Sequence, residues 1–175
     1  MQVAGLEAAR GVTVVMAGAV HGAGEVFKAH TYRLDALSSG DAGPIAAVEG
    51  GRLRQFRAWP ESLALPVRAW QVPVQHWPRV EIVTSHAGAC GALVDTMAAS
   101  GVRGVVIAAT GNGTVHRDLK AALERAREQG VRVMLSSRCA AGVILAPPGA
   151  PARADHGLNP AKARVELLLQ LLADA

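Results

Sequence analysis

Few residues in the sequence have a type and spacing suited to chemistry, and the turn Gly111-Asn112-Gly113 is the first of them. It follows a β-branched run and is expected to open a helix, where backbone N–H groups and the helix dipole can face an anion. A substrate carboxylate or a phosphate would suit that position. Gly-Asn-Gly is also a favourable turn sequence in its own right, so both interpretations stand.

As a nucleotide signature the same turn is weak. A G-x-G-x-x-G fingerprint requires a third glycine where this chain has His116, and no acidic residue for a ribose follows at the usual spacing. We therefore expect neither a flavin nor a nicotinamide cofactor, and no other cofactor.

The histidines and cysteines do not form a recognisable metal or redox pattern. The histidines lack the i, i+4 spacing of a helical metal pair, which favours surface or hydrogen-bonded loop positions; they are His21, His30, His76, His86, His116 and His156. Cys90 and Cys139 are too few and too far apart for a disulfide framework or a CxxC zinc site, which favours a reducing cytoplasm. No histidine can be paired with Cys139 from sequence, so we interpret it as a packing residue.

The composition predicts a folded chain of one domain, or of a small domain with an extra arm. Of 175 residues, 50% are apolar and 18% are charged, far from the composition of a disordered segment. The net charge of +4 is spread along the chain and aromatics are 3%, so nucleic acid is not an expected partner. With no signal-peptide pattern and no apolar run of roughly 18 residues, no membrane association is expected either.

Two regions of the chain, with different sequence patterns, must position these residues. The first region is residues 1–57. Val12 to Met16 predict a short buried strand that stops at small residues. Residues 22–43 lose periodicity and predict a loop. Ile45–Glu49 and Arg52–Arg57 flank Gly50-Gly51, a pair suited to a tight hairpin turn.

The second pattern begins after a segment, residues 58–78, in which four prolines predict a linker. Strand-like RVEIVTS, GVVIAAT and VRVMLSS then alternate with helix-like ACGALVDTMAASG and HRDLKAALERAREQG, and NPAKARVELLLQLLADA closes the chain. This βαβαβα order predicts an α/β fold, a small parallel sheet with helices on both faces. Gly101 and Gly130 are placed as helix C-caps, and Asn159-Pro160 as the start of the last helix.

Ordered motifs along nearly the whole chain resemble the bacterial L-asparaginase (asparaginase/glutaminase) family. The segment VTVVMAGAVHGAGEVFKAHTYRLDALSS resembles the family's strand and invading loop with V-x-K-x-x-T, here Val26, Lys28 and Thr31. DAGPIAAVEGGRL resembles N-x-G-P-L-G and its hairpin, and GVVIAATGNGTV resembles G-I-V-x-x-G-x-G-N-G-x. SSRC and LNPAKARVELLLQLL match S-S-R and L-N-P-x-K-A-R.

The resemblance implies both an architecture and a reaction. Residues 1–57 would be a remnant of the family's N-terminal domain, residues 58–78 a linker and residues 79–175 a flavodoxin-like C-terminal domain. Family members hydrolyse L-asparagine, and often L-glutamine, to the acid and ammonia through a threonine nucleophile and a covalent acyl-enzyme. By resemblance Lys28 takes the threonine's proton, and Asn112 contacts substrate in the neighbouring subunit of a homo-oligomer.

The family's two nucleophile motifs, T-G-G-T-I and H-G-T-D-T, are absent from the sequence. Thr110 lies in ATGNGTV, within the C-terminal pattern, and Asp95-Thr96 lie in a helical pattern that points adjacent side chains apart. We expect a truncated chain, or one that needs a complementing N-terminal polypeptide. The alternative is a non-catalytic interaction or dimerisation module.

Several positions depart from the family pattern. Ala17-Gly18 replace Asn-Asp, Gly24 stands where arginine is usual, and Ala29 replaces a threonine beside the lysine. The stretch APPGAPARADHG is short where many relatives supply an acidic contact. The substitutions near Lys28 indicate that the sequence around this lysine is less constrained than in the family. The apolar first strand pairs within the absent N-terminal sheet in the family, so here we expect it to be exposed and to favour self-association.

Overall fold

The computed structural model describes residues 2–61, 71–145 and 157–174. Residues 62–70 of the predicted linker lie outside the described residues, as does the stretch APPGAPARADHG except for Gly157. The chain forms two compact units, Met1–Ala64 and Leu65–Ala175.

The first unit is built from short antiparallel strands. A four-stranded sheet has the order β1-β2-β5-β6, and β3 and β4 form a separate two-stranded ribbon. The strands are β1 (Thr13–Met16), β2 (Ala19–Gly22), β3 (Phe27–Lys28), β4 (Leu37–Ser38), β5 (Ala46–Glu49) and β6 (Arg52–Gln55), and single 3-10 turns span Val3–Gly5 and Gly40–Ala42.

Two tight turns connect this sheet. Gly50 and Gly51, with φ of 53° and 76°, join β5 to β6, so the predicted hairpin is confirmed. Ala17 and Gly18, with φ of 49° and 79°, join β1 to β2 in the same way. Positive φ at both central residues matches the right-handed twist of the two strands, which is why such turns suit hairpins.

The prediction of a loop over residues 22–43 is wrong in part, because β3 and β4 lie inside it. Each of these strands has only two residues, too few for an alternating pattern to be visible in sequence. β2 was also not predicted. Val20, His21 and Gly22 are all buried, so its residues lack the alternation of apolar and polar side chains that marks a half-buried strand in sequence.

The predicted first strand exists, but the prediction that it is buried is wrong. Among the described strands β1 pairs only with β2, and it forms an edge of the sheet. Val12 just before it is 72% exposed, and Val15 within it is 49% exposed. The core of the unit forms instead around Val20 and Ile45, because they are the positions that neighbouring segments cover.

The second unit has the predicted βαβαβα order. Three parallel strands lie in the order β7-β8-β9 with two crossover helices, and a third helix follows. The elements are β7 (Val80–Thr84), α1 (Ala92–Ala99), β8 (Gly104–Ala109), α2 (Arg117–Glu128), β9 (Arg132–Ser137) and α3 (Pro160–Ala173), with a 3-10 turn at Val74–His76 before them.

Helices cover both faces of this sheet. Val105 and Ile107 of β8 pack in one cluster with α1 and α2, whereas Val106 packs in another with α3. All six residues of β8 are buried, which is the pattern of a central parallel strand. Complete burial of Val105, Val106 and Ile107 stabilises the fold by about 1.5–3 kcal/mol each.

The predicted helix boundaries are confirmed as well. Gly101 and Gly130 follow α1 and α2 with φ of 80° and 85°, the left-handed conformation that ends a helix. Asn159 Oδ1 accepts a hydrogen bond from Lys162 N at 3.0 Å and caps α3, with Pro160 at its first position. Within the described ranges no helix is long and apolar enough to cross a membrane.

Candidate functional site

Lys28 lies on the β3–β4 ribbon of the first unit. Phe27 pairs with Ser38 and Lys28 with Leu37, and Ala29 N donates to Ala36 O at 2.7 Å. Beyond this bond the chain turns back through residues 30–35. The lysine is therefore presented near the closed end of a short hairpin.

The environment of Lys28 is open. Its side chain is exposed and lies beside Ala29, His30 and Thr31 in a shallow depression. Among the described residues the amine has no hydrogen-bond or ion-pair partner. A lysine amine acts as a base where surrounding protein buries it, and the described residues do not bury this one.

The tip of the hairpin is held by local contacts. His30 Nδ1 accepts from the backbone N–H groups of Tyr32 and Arg33 at 3.0 and 3.2 Å. The Arg33 guanidinium donates a hydrogen bond to Asp35, which lowers the pKa of that carboxyl. Both partners of this ion pair are more than half exposed, so its contribution to stability is small.

The first unit also contains a larger groove, of about 580 Å³. Its lining contains no ionisable side chain: it consists of Gln2, Val3, Ala4, Leu6, Ala9, Gly11, Thr13, Val15, Gly18 and Val48. Size alone therefore does not identify the reactive part of this unit.

Asn112 lies in the second unit, at the carboxyl end of β8. Thr110 and Thr114 bridge the base of its turn, with Thr114 N donating to Thr110 O at 2.9 Å. The Asn112 side chain is exposed, and its Oδ1 accepts from Leu145 N at 2.7 Å. Ser137 Oγ donates to Gly111 O at 2.9 Å, so β9 also supports the turn.

The expectation that this turn opens the following helix is wrong. α2 begins at Arg117, and His116 is its N-cap, with Nδ1 accepting from Asp118 N at 3.3 Å. Asp118 places a carboxylate in the first turn of the helix. The positive end of α2 is thus already compensated by a side chain of its own, which leaves less potential for a bound anion.

Other residues considered from sequence have structural partners. Thr110 Oγ1 donates to Thr114 O at 3.1 Å, and Thr96 Oγ1 to Ala92 O at 2.8 Å. Asp95 accepts hydrogen bonds from Arg125 and joins α1 to α2. Cys90 and Cys139 are instead exposed free thiols, so the interpretation of Cys139 as a packing residue is wrong. Across the described residues no group of three or more His, Cys, Asp and Glu could hold a metal ion.

A buried polar pair in the first unit was not identified from sequence. His21 Nδ1 and Ser39 Oγ are joined by a 2.7 Å hydrogen bond, and the residues are 5% and 6% exposed. Burial, and secondarily the positive charge of Arg57, lower the pKa of His21 from its ordinary value of 6.5. Lone His and Ser residues 18 positions apart give no sequence signal of such contact.

Arg57 forms a second partly buried contact nearby. Its guanidinium donates to both oxygens of Glu25, at 3.1 and 2.6 Å, and to Gly43 O at 3.1 Å. Its Nε is buried without a hydrogen-bond partner within the described part of the chain. Lys28, His21 and Arg57 all belong to the first unit, whereas Asn112 belongs to the second.

Two family models match this sequence. One, described as Glutaminase/Asparaginase C-terminal domain, covers residues 79–174. The other, Asparaginase, N-terminal, covers residues 1–61. This chain belongs to the glutaminase/asparaginase family. The resemblance inferred from the motifs is therefore confirmed, and so is the α/β fold that it implies.

Individual members of the family show the same relation. The chain is 29% identical over 177 residues to a glutaminase-asparaginase of Pseudomonas fluorescens biotype A, covering 97% of this chain and 49% of that protein. It is 29% identical to L-asparaginase 2 of Escherichia coli (strain K12), covering 93% and 48%. One polypeptide of a glutamyl-tRNA(Gln) amidotransferase from Pyrococcus abyssi is 30% identical, over 71% of this chain and 28% of that polypeptide.

A solved member of the family has the same fold. The crystal structure of a probable cytoplasmic L-asparaginase from Campylobacter jejuni matches with a TM-score of 0.78 at 27% identity, covering 91% of this chain and 50% of that one. The chain thus spans about half the length of these three bacterial relatives.

Proposed function

We propose that this chain supplies the lysine-bearing segment and the C-terminal domain of an asparaginase-type amidohydrolase. The reaction is hydrolysis of L-asparagine to L-aspartate and ammonia. Membership of the glutaminase/asparaginase family carries the proposal, because amide hydrolysis is the chemistry in the names of its members. L-Glutamine is a second candidate substrate, since one similar protein is a glutaminase-asparaginase.

In this proposal the nucleophilic threonine comes from residues outside these 175, because T-G-G-T-I and H-G-T-D-T do not occur among them. A complementing polypeptide is one source. The threonine would attack the amide carbonyl and expel ammonia, and water would then hydrolyse the acyl-enzyme.

Lys28 is the proposed base for the threonine. A lysine amine becomes a base near neutral pH when burial disfavours its charged form. Because Lys28 is exposed on the β3–β4 hairpin, another part of the enzyme has to bury its amine before it acts as a base. The part of the enzyme that brings the threonine also covers the Lys28 amine.

Asn112 is proposed to contact the substrate of a neighbouring subunit, which makes a homo-oligomer part of the proposal. Support comes from its exposure and from the contacts that hold its backbone at Gly111 and its Oδ1 at Leu145 N. A rigidly held turn suits a substrate contact because little side-chain or backbone entropy remains to be lost.

A cytoplasmic location is proposed from the two exposed, unpaired cysteines, since free thiols persist in a reducing compartment. The similar protein from Campylobacter jejuni is titled a probable cytoplasmic L-asparaginase. One from Haemophilus influenzae is named a probable periplasmic L-asparaginase, so fractionation of the native host is the direct check.

The test is ammonia release from asparagine and glutamine by the purified chain, alone and combined with a polypeptide that carries the two nucleophile motifs. The DNA immediately upstream is the first place to look for it. We expect release only from the combination. Lys28→Ala should then lower kcat about 100-fold or more, the usual effect of removing a general base.

Lys120→Ala is the matched control, since Lys120 is an exposed lysine on α2. It should leave kcat within about twofold, as surface substitutions normally do. Turnover that survives Lys28→Ala would overturn the catalytic assignment. Absence of release from every combination would favour the non-catalytic interaction or dimerisation module.

A further inference from the structure

The segment that carries Lys28 has little internal structure to fix its position. It leaves β2 after Gly22 and returns at Ser39, and β3 and β4 contribute only two paired residues each. We call residues 23–38 the lysine segment. Isolated two-stranded hairpins are marginally stable in water, so contacts at the base of the segment must hold it.

One such contact is the buried pair His21–Ser39. The two residues flank the lysine segment on either side, and the 2.7 Å bond between Nδ1 and Oγ joins its ends. With both residues buried, loss of the bond leaves a polar atom without water or partner, which costs more than an exposed bond would. The pair thus closes the base of the segment.

The second contact is the ion pair of Arg57 with Glu25. Glu25 lies in the first turn of the lysine segment, and Arg57 follows β6. Because Arg57 also donates to Gly43 O, one guanidinium links the outgoing turn, the returning chain and the four-stranded sheet. Its bidentate geometry specifies orientation as well as distance.

We propose that His21 and Arg57 are positioning residues for Lys28: the His21–Ser39 bond and the Arg57–Glu25 pair together determine where the lysine segment presents its amine. This inference rests on the proposed function for its catalytic meaning. The structural part, that these contacts hold the segment, is testable without activity.

The two contacts are coupled through charge. Among the described residues, the charged group that acts on His21 is Arg57, whose cation disfavours a second positive charge; the carboxylate of Glu25 is paired with that cation. Protonation of His21 would bury a second positive charge beside Arg57. Acidification should therefore weaken the base of the segment.

Hydrogen exchange of the whole 175-residue chain, followed by mass spectrometry, tests whether these two contacts fix the position of the lysine segment. In Ser39→Ala the amides of residues 27–38 should exchange about tenfold faster or more, while residues 46–55 of β5 and β6 stay unchanged. Ser39→Thr, which keeps the hydroxyl, should restore protection. Ser38→Ala is the matched control, because within the described ranges the Ser38 hydroxyl accepts a hydrogen bond from the nearby Gly40 N and from no other group.

Arginine variants test the second contact in the same experiment. Arg57→Gln should raise exchange in residues 27–38, and Arg54→Gln, which breaks the exposed Glu49–Arg54 pair, should not. Equal exchange in Ser39→Ala and Ser38→Ala would overturn the proposal. So would a rise shared equally by residues 46–55, since that indicates general destabilisation rather than a local hold.

A pH series needs no change at the contact itself and stays informative if a variant fails to fold. It uses His30→Asn, which removes the imidazole that lies within the lysine segment itself, while the Asn side-chain oxygen can still accept from Tyr32 N and Arg33 N. After correction for intrinsic exchange, protection of residues 27–38 should fall about threefold or more from pH 7.5 to pH 5.5. Protection that does not change with pH would overturn the role of His21.

Measurements of kcat and KM test whether fixing the lysine segment matters for catalysis. In the ammonia-releasing combination, Ser39→Ala should lower kcat at nearly unchanged KM, and Ser39→Thr should restore it. Activity that survives Lys28→Ala would defeat the proposed function and leave the exchange result standing. Loss of activity in Lys28→Ala with normal exchange and kcat in Ser39→Ala would defeat this inference alone.

Discussion

Lys28 and Asn112 are both exposed, yet their backbones are constrained to different degrees. The lysine sits on a hairpin of two residue pairs, held mainly at its base. The turn of Asn112 is fixed by a backbone bridge, by Ser137 and by its own bond to Leu145 N. At the residue scale, the proposed function therefore requires the lysine to adapt to the protein that covers it, whereas the turn of Asn112 is already held by its own contacts.

Gly113 contributes to that rigidity. Its φ is 88°, and a Cβ there would lie 3.1 Å from both Ile144 Cγ2 and Leu135 Cδ2. Gly113→Ala should therefore destabilise the second unit by about 2–3 kcal/mol, through left-handed backbone strain and crowding together. Urea titration followed by amide NMR signals of β8 and β9 measures the loss.

Gly111→Ala is the control for that prediction. Gly111 has φ of 48°, but a Cβ there would meet nothing within 4 Å. Only the backbone cost of about 1–2 kcal/mol applies. If the two variants lose the same stability, then packing of Ile144 against the turn contributes nothing.

At the scale of elements, the same kind of tight turn is built from different residues in the two hairpins of the first unit. β5–β6 uses two glycines, whereas β1–β2 places Ala17 at φ of 49°. An L-residue with a Cβ is strained there, because the side chain crowds the following carbonyl oxygen. β1–β2 therefore carries a local cost that β5–β6 avoids.

Ala17→Gly should remove that cost and stabilise the first unit by about 0.5–1 kcal/mol, less than the full strain because glycine also loses more entropy on folding. Ala19→Gly, two residues further on in β2, should destabilise by about 0.5–1 kcal/mol, since glycine in a strand has entropy to lose and no strain to relieve. Amide NMR signals of β2 and β5 in a urea titration report both. Destabilisation by Ala17→Gly would contradict the account of the turn.

At the scale of the whole molecule, apolar surface on the β1 edge is the feature expected to govern behaviour in solution. Val12, Val15 and Met16 are exposed beside an unpaired strand edge. Such edges can pair with another chain, and exposed apolar groups strengthen the pairing. Self-association of the purified chain is the expected consequence.

Light scattering over a range of concentrations tests this expectation. The apparent mass of the chain should rise with concentration, and Val15→Lys should suppress the rise by placing a charge on the edge. Val165→Lys is the matched control, because Val165 on α3 is 50% exposed and Val15 is 49% exposed. A monomeric, monodisperse profile of the unmodified chain would refute the prediction.

The sequence by itself determined the second unit almost completely. Its strands and helices follow from apolar periodicity, and its helix ends follow from Gly101, Gly130 and Asn159, whose effects act over a few residues. The Gly50-Gly51 hairpin and the family could also be predicted from the sequence, because both depend on short ordered motifs.

Tertiary structure alone decided the surroundings of the candidate residues. The pairing of β3 with β4, the burial of His21 against Ser39 and the exposure of β1 all depend on which distant segments meet. A two-residue strand or a single histidine carries no periodic signal that names its partner. Lys28 is a candidate because of a short motif, which the sequence contains in full, whereas the contacts of His21 and Arg57 became visible only in the folded chain.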